Sequence, residues 1–136
     1  MNPRYPLVAE RAAHRCEYCG APEAIFNFPF ELEHIIPFVR GGTDEFGNQA
    51  LACRSCNVHK GIHIEGKDPD TQTAIRLFDP RQDRWEQHFQ VDATVGVLVG
   101  RTPIGRATIG RLQMNASAQI LARRQWTLVK IYPPET

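Results

Sequence analysis

Two Cys-x-x-Cys units restrict this chain more than any other feature. Cys16 and Cys19 form one, Cys53 and Cys56 the other, and 33 residues lie between them. Paired cysteines at this spacing in a reducing compartment point to a metal rather than to disulfides. Four thiolates are the tetrahedral all-sulfur set of a closed structural Zn2+ site. The fold must therefore bring residues 16–19 and 53–56 to one ion. A redox dithiol would need one pair to open a helix in a thioredoxin-like unit, and the flanks CEYCG and CRSCN supply no such context.

The elements around this frame follow from apolar pattern and punctuation. Leu7, Val8, Ala12 and Ala13 give residues 5–15 a helical face, and Gly20 supplies the positive backbone angle useful after a knuckle's second cysteine. An apolar run leads to a strand expected at residues 30–35, stopped by Pro37. FVRGGTDEFGNQ reads as a loop, and residues 54–59 as a short helix stopped at Gly61. Beyond the polar break GKDPD, Asp70 or Thr71 is expected to cap a helix ended by Pro80. Residues 85–91 and 95–99 read as strands. Thr102-Pro103 opens a helix, and Asn115 is expected to cap another carrying Ile120, Leu121 and Trp126.

At 136 residues the chain has room for one sizeable core but not for two independent ones. It lacks an apolar run of about 18 residues, and its first residues lack a secretory pattern, so the expected address is cytoplasmic. The net charge of +1 is uninformative, but its distribution is not. Residues 93–134 contain no Asp or Glu and carry Arg101, Arg106, Arg111, Arg123, Arg124 and Lys130. A basic segment of this kind suits phosphate contact, and equally a solvated helix face.

Between and after the cysteine pairs runs LEHIIPFVRGGTDEFGNQALACRSCNVHKG. Its acidic residue before His, Gly-Gly, Asn and CxxC-Asn-x-x-Lys, in this order and spacing, resemble the HNH endonuclease family over residues 16–61, about a third of the chain. The resemblance implies an α+β fold with a ββα-metal core, two antiparallel strands and a helix around a catalytic Mg2+, Mn2+ or other divalent cation, stapled by the four-cysteine zinc. It also implies a role for each motif residue. His34 is the general base, Glu33 and Asn57 hold the cation, and Asn48 fixes the strand that carries His34. The triad reads His-Asn-Asn, and Glu33 stands where Asp is commoner.

The chemistry of phosphodiester hydrolysis agrees with these roles. A water must lose a proton near neutral pH, for which an imidazole is suited, and a hard cation with oxygen ligands must polarise the phosphate. Double-stranded DNA is the expected substrate, with Arg40, Arg54, Lys60, Arg123 and Arg124 as candidate phosphate contacts. A partner protein or homodimer is compatible with the sequence. The division expected is a zinc-stapled nuclease core at residues 1–66 and a small mixed α/β extension at 67–136, packed on the core and basic from residue 93. A non-catalytic zinc module binding nucleic acid or protein is the competing reading.

Overall fold

The computed structural model describes residues 2–134. The fold is α+β, and among the described residues its strands form three separate antiparallel hairpins. Helix α1 (Tyr5–Arg11) begins with proline in its first turn, where a missing N–H costs nothing, and buries Val8 and Ala9. The first cysteine knuckle follows. Strands β1 (Glu31–His34) and β2 (Gln49–Ala52) pair in the register Glu31 to Ala52 and His34 to Gln49. Helix α2 (Arg54–Lys60) starts directly after Cys53, whose sulfur accepts the Cys56 N–H as its cap. Hairpin, then short helix, is the order the motif implies.

Residues 68–78 depart from expectation. Where the sequence predicts a helix from Asp70 or Thr71, the chain makes a hairpin of β3 (Glu65–Lys67) and β4 (Ala74–Arg76). Asp68 is the cause. Its buried carboxylate accepts the Asp70 N–H at 3.0 Å and the Thr71 hydroxyl at 3.2 Å, and Gln72 adopts a φ of 64°. These short polar side chains thus close a turn instead of capping a helix, the competition that makes Asp and Thr ambiguous in sequence. The boundary expected between residues 66 and 67 falls inside β3.

Helical turn α3 (Trp85–His88) takes the first half of the strand expected at residues 85–91, and β5 (Phe89–Asp92) the second. Strand β5 pairs with β6 (Val97–Gly100). Helix α4 (Pro103–Arg111) has the expected Thr102 cap, whose hydroxyl accepts the Gly105 N–H at 3.1 Å. Helix α5 (Ser117–Leu128) starts without a side-chain cap. Asn115 is otherwise engaged, for its amide accepts the Leu98 N–H at 2.9 Å and donates to the Leu98 carbonyl at 2.8 Å, extending the edge of β6.

One apolar cluster runs from Val8 through Leu51, Phe78 and Phe89 to Trp126 and Tyr132. Its contacts with the first knuckle are specific: Trp85 Nε1 donates to the Tyr18 carbonyl at 2.7 Å and Tyr132 Oη to the Cys19 carbonyl at 2.6 Å. No described helix is long and apolar enough to cross a membrane.

Candidate active site

The four cysteines converge as their spacing requires. Cys16, Cys19, Cys53 and Cys56 are buried and their sulfurs lie within 4.8 Å of one another, with 3.8 Å between those of Cys19 and Cys53. Sulfurs on a tetrahedron around zinc, at Zn–S of about 2.3 Å, stand about 3.8 Å apart. The Cys19 and Cys56 amides point at the Cys16 and Cys53 sulfurs at 3.5 and 3.4 Å, neutralising part of the thiolate charge. The donor set fits a structural zinc, which would tie the first knuckle to the start of α2.

Beside this staple, the loop between β1 and β2 is fastened by one side chain. Asn48 accepts the Ile36 N–H at 2.9 Å through Oδ1, and its Nδ2 donates to the carbonyls of Ile36 at 2.9 Å and Thr43 at 2.7 Å. Gly42 allows the closure, since a Cβ there would stand 1.6 Å from the Ile36 oxygen. The loop then returns Asp44 to His34, with Nε2 to Oδ1 at 2.8 Å. This contact draws the Asp44 carboxyl below its ordinary range. The His34 ring lies against Phe38, with centroids 4.4 Å apart, and its side chain keeps 28% exposure. The motif did not point to Asp44, although an acid in a Gly-Gly loop ten residues beyond a histidine is a signal that could have been used.

Glu33, His34, Asn57 and Gly61 line a common open pocket of about 310 Å3 with apolar residues that include Phe38 and Ile62. Asn57 projects from α2 and donates through Nδ2 to Glu31 Oε1 at 2.7 Å, while Arg54 holds Glu31 Oε2 at 2.9 Å.

Glu33, expected as a cation ligand, lines this pocket but is mostly buried behind it. Its side chain is 3% exposed, ion-paired with Lys60 and bonded by the Tyr18 hydroxyl at 2.6 Å. Burial pushes the Glu33 carboxyl up while the Lys60 ammonium opposes the shift. Burial, followed by the Glu33 charge, drives the Tyr18 phenol well above its ordinary value, so it remains a donor. Glu33 is thereby tied to Lys60 and Tyr18 at the back of the pocket, and the carboxylate bonded to Asn57 is Glu31, two residues earlier on the same strand face.

Two candidate phosphate contacts are corrected for the same kind of reason. Lys60 is 1% exposed and also donates to the carbonyls of His34 at 3.2 Å and Ile35 at 2.9 Å, so its ammonium is a structural post beneath β1. Arg123 is 1% exposed and its guanidinium donates to Gly96 O at 2.7 Å, Met114 O at 2.5 Å and Asn115 Oδ1 at 3.3 Å. Arg40, Arg54 and Arg124 are exposed, Arg54 within its ion pair to Glu31.

A family model described as HNH endonuclease matches residues 16–62, the segment that carries the zinc cysteines, the fastened loop and α2. Over this stretch, about a third of the chain, the protein has an HNH domain, and the partly exposed His34 imidazole stands beside the pocket that Asn57 lines. No curated protein and no solved structure matches the chain.

Proposed function

We propose that this chain is a metal-dependent endonuclease that hydrolyses DNA phosphodiester bonds with His34 as its general base. The carrying observation is the mounting of one imidazole. His34 faces the Asn57 pocket while Asp44 holds its Nε2 and Asn48 fixes the loop behind it. With Nε2–H donating to Asp44, Nδ1 is left as the lone-pair nitrogen. It accepts the proton of a water attacking phosphorus, and the ester bond to the leaving 3′-oxygen breaks as the new P–O bond forms. The Asp44 carboxylate stabilises the imidazolium produced.

The Asn57 amide in the His34 pocket, with the Glu31 carboxylate it adjoins, suits a hard divalent cation, Mg2+ or Mn2+. The Asn57 amide and Glu31 carboxylate already stand in contact, and together they would hold the ion, leaving most of its shell to water and phosphate. When bound, such a cation supplies Lewis-acid stabilisation of charge on the phosphate and leaving oxygen. Glu33 takes a supporting role in this reading. Its pair with Lys60 places a fixed ammonium under the His34 and Ile35 carbonyls and sets the height of the His34 main chain.

The burial of Glu33 favours a second reading, in which the HNH frame survives as a zinc-containing module that binds nucleic acid or protein without cutting. Relaxation of supercoiled plasmid by the zinc-loaded protein separates the two. The endonuclease reading expects nicked or linear product with added Mg2+ or Mn2+, and a greater loss of rate from Glu31→Gln than from a folded Glu33→Gln variant. Intact plasmid under every divalent ion, with retained binding, would select the module.

A further inference from the structure

A second groove adjoins the His34 pocket, and it carries an excess of positive charge. It has a volume of about 300 Å3, and its lining includes Arg40, His63, Glu65, Lys67 and Arg111. Arg40 joins the two recesses, because it follows Val39 of the His34 pocket and its Nε donates to the carbonyl of Ile62, another residue of that pocket, at 3.0 Å. Lys67 comes from β3 and Arg111 from the last turn of α4, so the far wall is built by the C-terminal half of the chain. Helix α4 can approach β3 this closely because Gly66 lies between them, where a Cβ would stand 2.8 Å from the Ala107 oxygen.

Ion pairing separates these cations from many of the others. Arg54, Arg76, Arg81, Arg84 and Arg106 each hold a carboxylate. Arg40, Lys67 and Arg111 are exposed, and among the described residues none of them forms an ion pair; Arg111 reaches only the Glu65 carbonyl, at 3.3 Å. Glu65 is the one acidic residue in the lining, so the groove keeps a formal excess of two positive charges before His63 is counted. Three neighbouring cations without carboxylates form a low-cost anion track, because no internal pair has to be broken before a phosphate binds.

We propose that Arg40, Lys67 and Arg111 form a phosphate track that carries the DNA backbone from the His34 pocket onto the face made by β3 and α4. The proposal rests on the nuclease reading for its choice of partner, and it gives the C-terminal half a share in substrate binding. It differs from the sequence-based assignment, in which Arg123 and Arg124 are the contacts of that half. Contacts of this type add affinity without reading base sequence.

The test is binding of a short DNA duplex to zinc-loaded protein in a His34→Ala background, with no added divalent ion, over a range of salt concentrations. Lys67→Ala with Arg111→Ala removes two phosphate contacts, so the slope of log K against log salt should flatten by about 1.8, at about 0.9 per contact. Affinity should fall at least about ten-fold in low salt, alike for unrelated duplex sequences. Glu65→Gln should act oppositely and tighten binding. Arg124→Ala with Lys130→Ala, exposed cations outside the groove, should leave the slope as in the parent. An unchanged slope in the Lys67/Arg111 variant, or equal flattening in the Arg124/Lys130 variant, overturns the track. Plasmid cleavage by the parent is read separately. Cutting with an unchanged slope refutes the track alone, whereas a flattened slope without cutting keeps the track and refutes the nuclease.

Discussion

Two hairpins in this molecule are clamped by the same device and put to different use. In β1–β2 the amide of Asn48 takes both main-chain groups of Ile36, and in β5–β6 the amide of Asn115 takes both of Leu98. Around the first, the supporting polar groups are a four-thiolate set and the buried Lys60–Glu33 pair, and β1 ends in a partly exposed imidazole. Around the second, the support is the buried guanidinium of Arg123, held by main-chain carbonyls and the same Asn115. Charge near a hairpin does not by itself define a site. What distinguishes β1–β2 is that its buried charges leave one titratable group facing a pocket, whereas the buried Arg123 guanidinium is turned onto main-chain carbonyls.

The comparison breaks most visibly at the zinc. Cys53→Ala should abolish stoichiometric zinc and cooperative unfolding of the first half, because structural zinc supplies about 10–16 kcal/mol in small domains, comparable with total folding stability. Zinc analysis together with a thermal melt checks this, and a parent-like midpoint would contradict it. Next in size is Lys60→Met, which leaves the Glu33 carboxylate buried without its cation and should cost about 3–5 kcal/mol in urea unfolding. A loss below about 1 kcal/mol would mean that the pair is solvated in solution.

On the other side of the comparison, Arg123→Ala leaves the carbonyls of Gly96 and Met114 without their donor. Its expected cost is at least about 2 kcal/mol, at about 1–3 kcal/mol for each of the two unpaired buried groups. Arg124→Ala, on the exposed face of the same helix, should stay within about 0.5 kcal/mol. Equal effects would refute the burial of Arg123.

The smallest expected effect is one of pH. Arg106 grips Asp68 through two bonds of 2.9 and 3.0 Å, which lowers the Asp68 carboxyl to about 2. A depressed acid contributes stability that is present above its unfolded value near 4 and is lost as pH falls toward about 2. Acid unfolding of Asp68→Asn should therefore show a shallower decline across that window, from a lower starting stability. An identical slope would remove Asp68 from the acid response.

Much of the first half was legible because its signals are local and carry chemistry. The cysteine spacing points to a staple, Gly61 ends α2, and the strand at Glu31–His34 and the helix at Arg54–Lys60 lie within the spans their patterns suggest, to within a residue at the helix end. Glu33 was not legible, since its fate depends on Tyr18 and Lys60 arriving from two other parts of the chain. Asp44 was hidden in a loop that reads as mere turn chemistry. In the second half, Asp70 and Thr71 carry equal propensity for a cap and for a turn, and only the burial of Asp68 against Arg106 decides between them. Arg123 reads as a surface charge because long cationic side chains usually are. Its burial is a tertiary outcome, set by the carbonyls that the β5–β6 turn and the α4–α5 connection leave around it.

The central claim is that His34 is the proton acceptor of a nuclease. Its most direct test is the rate of plasmid cleavage by His34→Ala in the presence of Mg2+ or Mn2+, on protein shown to hold its zinc, to melt as the parent does and to bind DNA equally. Cleavage by the parent is expected, with a rate reduced by at least about a hundred-fold in the variant, the usual contribution of a general base. Cleavage by the folded variant at the parent's rate would contradict it.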